Sequence, residues 1–120
     1  MRLLIVEDDP HVRRVLRRIL EGLATDVLEC ASGADALGVY TSFEPDVVLM
    51  DIRLPGIDGI TATRRIRAAF PNASVLIVTN HDEAPLRKAA IEAGARGYVL
   101  KENLIEVRTV LAEWFPPALT

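Results

Sequence analysis

The amino-acid sequence predicts an α/β protein, a doubly wound five-stranded parallel sheet with helices on both faces. Three observations predict it. Residues 3–6, 47–50 and 75–78 are unbroken apolar runs, the pattern of strands buried on both faces. Between the runs, apolar residues recur at helical spacing. Capping residues, glycines and prolines punctuate each change of period. Strand and helix alternate five times with no repeat, low-complexity tract or long linker, as in a parallel sheet covered on both sides. Right-handed crossovers then bring the carboxyl end of every strand to one edge.

The first strand, residues 3–6, runs into Glu7-Asp8-Asp9-Pro10. Val12, Val15, Leu16, Ile19, Leu20 and Leu23 mark one helical face, with Asp9 at the N-cap, Pro10 at the first helical position and Gly22 at the end. The opposite face carries Arg13, Arg14, Arg17 and Arg18, either a solvated face or a docking surface for an acidic or helical partner. Val27, Leu28 and Cys30 predict a second, less apolar strand at an edge. Ser32 caps a helix bearing Ala36, Leu37, Tyr40 and Phe43, closed by Pro45. After the strand at 47–50, Pro55-Gly56 turns the chain, and Asp58 caps or orders that turn. Ile60, Ile66 and Phe70 continue as a helix up to Pro71-Asn72. The fourth strand reaches Thr79-Asn80-His81-Asp82, with Asp82 the expected cap of the next helix and Pro85 in its first turn. Gly94 stops that helix. Residues 97–100 form a short fifth strand ending at Lys101. Leu104, Val107, Leu111 and Trp114 line a last amphipathic helix, ended by Pro116-Pro117.

Residues 1–120 make one domain of ordinary globular composition, half hydrophobic and about a quarter charged. A net charge of −3 argues against a general nucleic-acid binder, so no direct nucleic-acid binding by this segment is expected. Cys30 is the only cysteine, which excludes an internal disulfide or a multi-cysteine metal site; a small core residue in a reducing compartment is expected. The apolar positions before Glu7 are too few for a signal peptide, and no segment approaches the ~18 apolar residues of a membrane span. The expected location is the cytoplasm.

The strand ends deliver Glu7, Asp8, Asp9, Asp51, Thr79 and Lys101 to one edge, where ligands of open α/β sheets bind. Carboxylates gathered there repel, and burial raises their pKa values unless positive charge sits among them. A hard divalent cation answers that need; Mg²⁺ takes one or two carboxylates, waters and phosphate oxygens. An ionised Asp51 beside it is a nucleophile toward phosphorus and forms an aspartyl phosphate. The transferred group spreads its charge over its oxygens and needs a cation and hydroxyl donors around it. Lys101 supplies the first and Thr79 the second. With no His/Ser/Asp grouping and no Gly-rich phosphate loop, the set favours phosphoryl acceptance over hydrolysis of a complex substrate.

Four segments carry a resemblance: Leu-Ile-Val-Glu-Asp-Asp-Pro, Val-Leu-Met-Asp-Ile-Arg-Leu-Pro-Gly-Ile-Asp-Gly, Ile-Val-Thr and Ala-Gly-Ala-Arg-Gly-Tyr-Val-Leu-Lys. Together they resemble the receiver domain of two-component response regulators, across essentially the whole chain and in that family's order and spacing. The resemblance implies the flavodoxin-like fold, sheet order 2-1-3-4-5. It also implies a phosphoacceptor, not an enzyme beyond assisting its own phosphorylation and dephosphorylation. A histidine kinase or phosphotransfer protein would place the phosphoryl group on Asp51 with Mg²⁺, switching an interaction surface made by the fourth helix, fifth strand and fifth helix. Asp8 would ligate the metal directly, Glu7 through water, with Asp51 and the backbone carbonyl of Arg53 completing the set. Thr79 would be the switch hydroxyl, Lys101 the cation, and Tyr98 the aromatic whose rotamer reports activation. Arg53, Asn80 and His81 would tune phosphoryl lifetime.

The chain departs from that family's pattern in three places. Asp9 adds a third acid, so the metal assignment falls on Asp8 or slips by one residue. Glu102 stands where many members have proline, so no cis peptide is expected. Asn80 is larger than the usual residue after the switch threonine. Residues 80–101 look most like receivers of the nitrate-regulator type, which precede a helix-turn-helix. The chain is then either a stand-alone receiver or the input domain of a longer regulator, with a homodimer, effector domain or effector protein as its output.

Competing functions meet the same residues. A haloacid-dehalogenase-type phosphatase needs a second acid where Arg53 stands. A flavin-binding flavodoxin needs a donor-rich phosphate loop where Glu7-Asp8-Asp9 would repel phosphate. A phosphorylation-independent interaction module is the alternative that survives, although the acids and the lysine are all retained. His81 reads as a general base or relay, or as a partly exposed loop histidine, and Glu83, Arg87 and Lys88 as a solvated helix face.

Overall fold

Alternate residues of the buried strands point into opposite layers, and this period of two divides the core. In the computed structural model, residues 1–116 are described. The elements are β1 (Arg2–Val6), α1 (Pro10–Ile19), β2 (Asp26–Cys30), α2 (Gly33–Phe43), β3 (Val47–Met50), α3 (Gly59–Ala69), β4 (Val75–Thr79), α4 (Ala84–Glu92), β5 (Gly97–Leu100) and α5 (Ile105–Trp114). All strand pairs are parallel and the sheet order is β2-β1-β3-β4-β5, the flavodoxin-like order. Leu4, Val6, Val48, Met50 and Ile77 face one core layer with residues of α2, α3 and α4. Leu3, Ile5, Val47, Leu49, Leu76 and Val78 face the other, against Leu16 and Leu20 of α1 and Val107 and Leu111 of α5. β2 lies at an edge and alternates exposed with half-buried positions up to the buried Cys30, as its weaker hydrophobicity predicts.

The helix starts follow the capping chemistry at three of the four expected positions. Asp9 Oδ1 accepts the His11 N–H at 2.8 Å, Ser32 Oγ that of Asp35 at 3.2 Å, and Asp58 Oδ1 that of Thr61 at 2.9 Å. The fourth is corrected: Asp82 does not cap α4. The helix begins at Ala84 with Glu83 at the N-cap position, and no side chain caps it. Pro85 has no N–H to offer a cap, and the Asp82 carboxylate is taken by Arg87 Nε at 2.6 Å.

Two boundaries also shift. α1 ends at Ile19, and Gly22 takes its positive φ of 82° in the turn that follows, so Leu23 reaches the core from that turn instead of from the helix. Between β5 and α5 a short 3₁₀ segment, Lys101–Asn103, was not foreseen. α5 ends before Pro116; Pro117, the second of the expected stops, lies outside the described residues. Cys30 is buried, as expected of a core residue. Of the arginines on α1, Arg13 and Arg17 both pair with Glu29 of β2, while Arg14 and Arg18 are exposed. There is no cis peptide among the described residues, and no helix there is long and apolar enough to cross a membrane.

α3 is anchored where β3 ends. The Gly59 N–H donates to the Ile52 carbonyl at 2.8 Å, and a Cβ on Gly59 would come within 1.8 Å of the Asp51 carbonyl oxygen. Gly38, inside α2, has open space where its Cβ would be. Gly59→Ala is therefore expected to cost about 3 kcal/mol or more, and Gly38→Ala to stabilise by about 0.5–1 kcal/mol; urea midpoints of the two variants check both signs.

Candidate functional site

The strand ladder continues one residue past β1 and β3. The Glu7 N–H donates to the Cys30 carbonyl at 2.9 Å and the Asp51 N–H to the Val6 carbonyl at 3.0 Å, which fixes both acids at the carboxyl edge. Both are buried, and Thr79, the last residue of β4, is fully buried beside them. Lys101 follows β5 and returns over this edge. Its Nζ donates to Asp51 Oδ2 at 2.8 Å and to Glu7 Oε1 at 3.0 Å. The other Asp51 oxygen accepts the Ile52 N–H at 2.7 Å.

Carboxylate oxygens of Glu7, Asp8 and Asp51 lie within 4.8 Å of one another, with Asp8 exposed to solvent. Oxygen-only donors at that spacing fit a hard divalent cation. Asp9 stands outside this cluster, its carboxylate committed to the cap of α1. Its N–H instead donates to Glu7 Oε1 at 3.2 Å.

Burial and then the negative charge of Asp51 push the Glu7 carboxyl up to about 7, against the opposing pull of Lys101. Burial works against the Lys101 ammonium, yet its hydrogen bond and charge interaction with Asp51, then with Glu7, hold its pKa above the ordinary value. One cation therefore serves two buried acids and leaves the pair incompletely neutralised.

Three of the remaining predicted residues, Thr79, His81 and Tyr98, form a second group. Thr79 Oγ1 accepts the His81 N–H at 3.4 Å, and the Tyr98 hydroxyl donates to the His81 carbonyl at 2.6 Å. The peptide groups of His81 thus join Thr79 to Tyr98. Thr79 makes no hydrogen bond to Asp51 or Lys101 among the described residues. The His81 imidazole is partly exposed, 3.7 Å from the Glu83 carboxylate, and Asn80 and Arg53 are exposed. Arg87 belongs to this group although its sequence position marks only a helix face. Its guanidinium lies over the Tyr98 ring, 4.5 Å from the centroid, while pairing with Asp82. Nothing in the local sequence signals that contact, because it crosses from α4 to β5.

Residues 3–111 match the family described as the response regulator receiver domain. This chain belongs to that family. It is 38% identical over 120 aligned residues to the response regulator GacA of Pseudomonas aeruginosa, covering 93% of this chain and 56% of that protein. The chain thus spans about half the length of that relative. A two-component response regulator of the LuxR family from Aurantimonas sp. SI85-9A1 superposes with a TM-score of 0.82 at 38% identity, covering 93% of this chain and 85% of that one. A chain of the CheX-CheY-BeF3-Mg+2 complex from Borrelia burgdorferi gives a TM-score of 0.88 at 25% identity, covering 98% and 90%.

The receiver domain holds Glu7 protonated to higher pH than its unfolded chain does, so without divalent cations its stability falls as pH rises from about 4.5 to about 7. The slope is at most about 1.4 kcal/mol per unit. Glu7→Gln keeps an acceptor for Lys101 and removes the titration. The difference between wild-type and variant denaturation free energies, measured in a chelator, is expected to grow in the variant's favour across that window and to level off above it.

Proposed function

We propose that Asp51 of this receiver domain accepts a phosphoryl group from a histidine kinase or phosphotransfer protein, in the presence of Mg²⁺, and that the change is passed to an effector. The observation that carries this reading is the Lys101 ammonium held between Asp51 and Glu7 at the mouth of a three-carboxylate cluster. An Asp51 oxygen attacks phosphorus; the bond from phosphorus to the donor imidazole nitrogen breaks, and its electron pair returns to that nitrogen. Asp8, Asp51 and the Arg53 backbone carbonyl would hold Mg²⁺ directly and Glu7 through water, and the bound ion would supply charge neutralisation for the phosphoryl oxygens. Its presence in the complex of the Borrelia relative supports the choice of metal.

The chain's own residues do the rest. Lys101 orients Asp51 and stands ready to meet the arriving charge. The Thr79 hydroxyl accepts from His81 and keeps its own proton to donate to a phosphoryl oxygen. Movement of Thr79 toward that oxygen disturbs the His81 peptide, which also holds the Tyr98 hydroxyl, so Tyr98 follows. The switch surface is α4, β5 and α5, where Ile91 and Ile105 are 55% and 65% exposed. An effector domain or protein, or a second copy of the chain, receives the change. The expected location is the cytoplasm. Arg53, two residues beyond the acceptor, and Asn80 and His81, just beyond Thr79, would slow attack of water on the aspartyl phosphate.

Intact mass after incubation with acetyl phosphate and Mg²⁺ tests the reading. One phosphoryl group is expected on the wild type, none on Asp51→Asn, and none in chelator. Lys101→Ala is expected to slow the gain by about 10²-fold or more. A wild type that stays unmodified with Mg²⁺ present would refute the assignment and favour a phosphorylation-independent interaction module. The lifetime role makes a separate prediction: replacing both Arg53 and His81 by alanine is expected to speed decay of the adduct, read by the same mass assay over time.

A further inference from the structure

The amino edge of the sheet, opposite Asp51, carries a feature the phosphoacceptor chemistry does not use. The end of α3, the loop into β4 and the loop into β5 surround an open cavity of about 480 Å³. That size falls in the ~300–1,000 Å³ range of small-molecule sites. Its wall contains two arginines, Arg67 and Arg96, with Asn72 and Ser74, and no carboxylate. Neither arginine has an ion pair among the described residues, in a chain with 17 acidic residues and a net charge of −3.

Each guanidinium is held in place but only partly used. Arg67 donates from one terminal nitrogen to the carbonyls of Pro71 and Ala73, and its Nε is buried with no acceptor. A buried donor without a partner calls for a physical explanation, such as a bound ion or water. Arg96 donates to Ser74 Oγ at 3.2 Å and lies over the Trp114 ring, 4.3 Å from its centroid. Ser74 keeps its hydroxyl proton to donate. Gly94 permits the arrangement: its φ is +104°, and a Cβ there would stand 2.6 Å from Arg67 Nε. Two like charges lining one cavity repel, and an oxyanion between them converts that repulsion into paired, charge-assisted hydrogen bonds.

We infer that this cavity binds a small phosphate-type oxyanion between Arg67 and Arg96, with the Ser74 hydroxyl as an added donor. The site is separate from Asp51 and independent of Mg²⁺.

Trp114 is the only tryptophan and lies beneath Arg96, so its fluorescence reports occupancy. The wild type is titrated with inorganic phosphate in chelator, beside sodium chloride at equal ionic strength. A saturable change with phosphate alone is expected, unaltered in Asp51→Asn. Arg67→Gln is expected to weaken it at least tenfold; Arg67→Lys, which keeps the charge but loses the fork, serves if the glutamine variant does not fold. Calorimetry reads Arg96→Lys, whose tryptophan surroundings change, with the same tenfold loss expected. A parallel titration with glycerol 3-phosphate distinguishes the sources: tighter binding of the ester assigns the cavity to a phosphorylated small molecule, and equal or tighter binding of phosphate to the free ion. A response that does not saturate, that chloride reproduces, or that survives both Arg67 changes would overturn the inference.

Discussion

A single ammonium between two buried carboxylates sets what the rest of the fold has to deliver. Charges withdrawn from water are costly unless paired and hydrogen-bonded. Lys101, Asp51 and Glu7 come from the ends of three different strands, so their contact exists only if those strands end level. The parallel register does this: Val6 lies opposite Met50, and Thr79 opposite Leu100. Because β4 lies between β3 and β5, Lys101 must cross its width, roughly 10 Å from backbone to backbone. A long side chain covers that distance, and the strand it crosses ends in the short, fully buried Thr79.

The charge balance at this edge is deliberate in sign and incomplete in amount. One ammonium faces the buried carboxylates of Glu7 and Asp51 with the Asp8 carboxylate alongside. The shortfall appears in the Glu7 carboxyl, pushed up to about 7 by burial and by its negative neighbour. A site short of positive charge is suited to a divalent cation, and on the proposed reading that cation would prepare it for a dianionic phosphoryl group. An edge already neutral by itself would have no such appetite. Asp51, bound by Lys101 on one oxygen and by the Ile52 N–H on the other, is meanwhile held in one orientation.

What could be read from the chain, and what could not, divides by range. The buried strands are continuous apolar runs, so their number, parallel direction and common edge follow from local pattern, and with them the convergence of Glu7, Asp51, Thr79 and Lys101. The caps at Asp9, Ser32 and Asp58 are equally local. Asp82 misled because two influences from further along the chain, the missing N–H of Pro85 and the competing guanidinium of Arg87, decide its partner. The choice between Asp8 and Asp9 stayed open in the sequence, since adjacent acids differ only in where the backbone aims them; the cap of α1 takes Asp9 away from the cluster. Arg87 over Tyr98, and Arg67 and Arg96 around one cavity, are packing between elements distant in the chain, which no periodicity encodes.

The two edges of the sheet differ in kind because every helix runs back against the strands. Helix starts therefore gather at the carboxyl edge, and their unpaired N–H groups carry partial positive charge. Asp9 and Asp58 cap two of them beside the acidic cluster, and the same bias favours an anionic group at that edge. Helix ends gather at the amino edge, where exposed carbonyls favour cations. Arg67 binds the carbonyls of Pro71 and Ala73 past the end of α3, and Arg108 of α5 binds those of Ile19 and Glu21 at the end of α1. Carbonyl groups hold a guanidinium in place without cancelling its charge, which leaves Arg67 able to attract an anion as well. One repeated chain direction thus produces an edge that concentrates carboxylates around one ammonium, and an opposite edge that fixes guanidinium groups, Arg2 with an ion pair to Asp26 and Arg67 and Arg96 with none among the described residues.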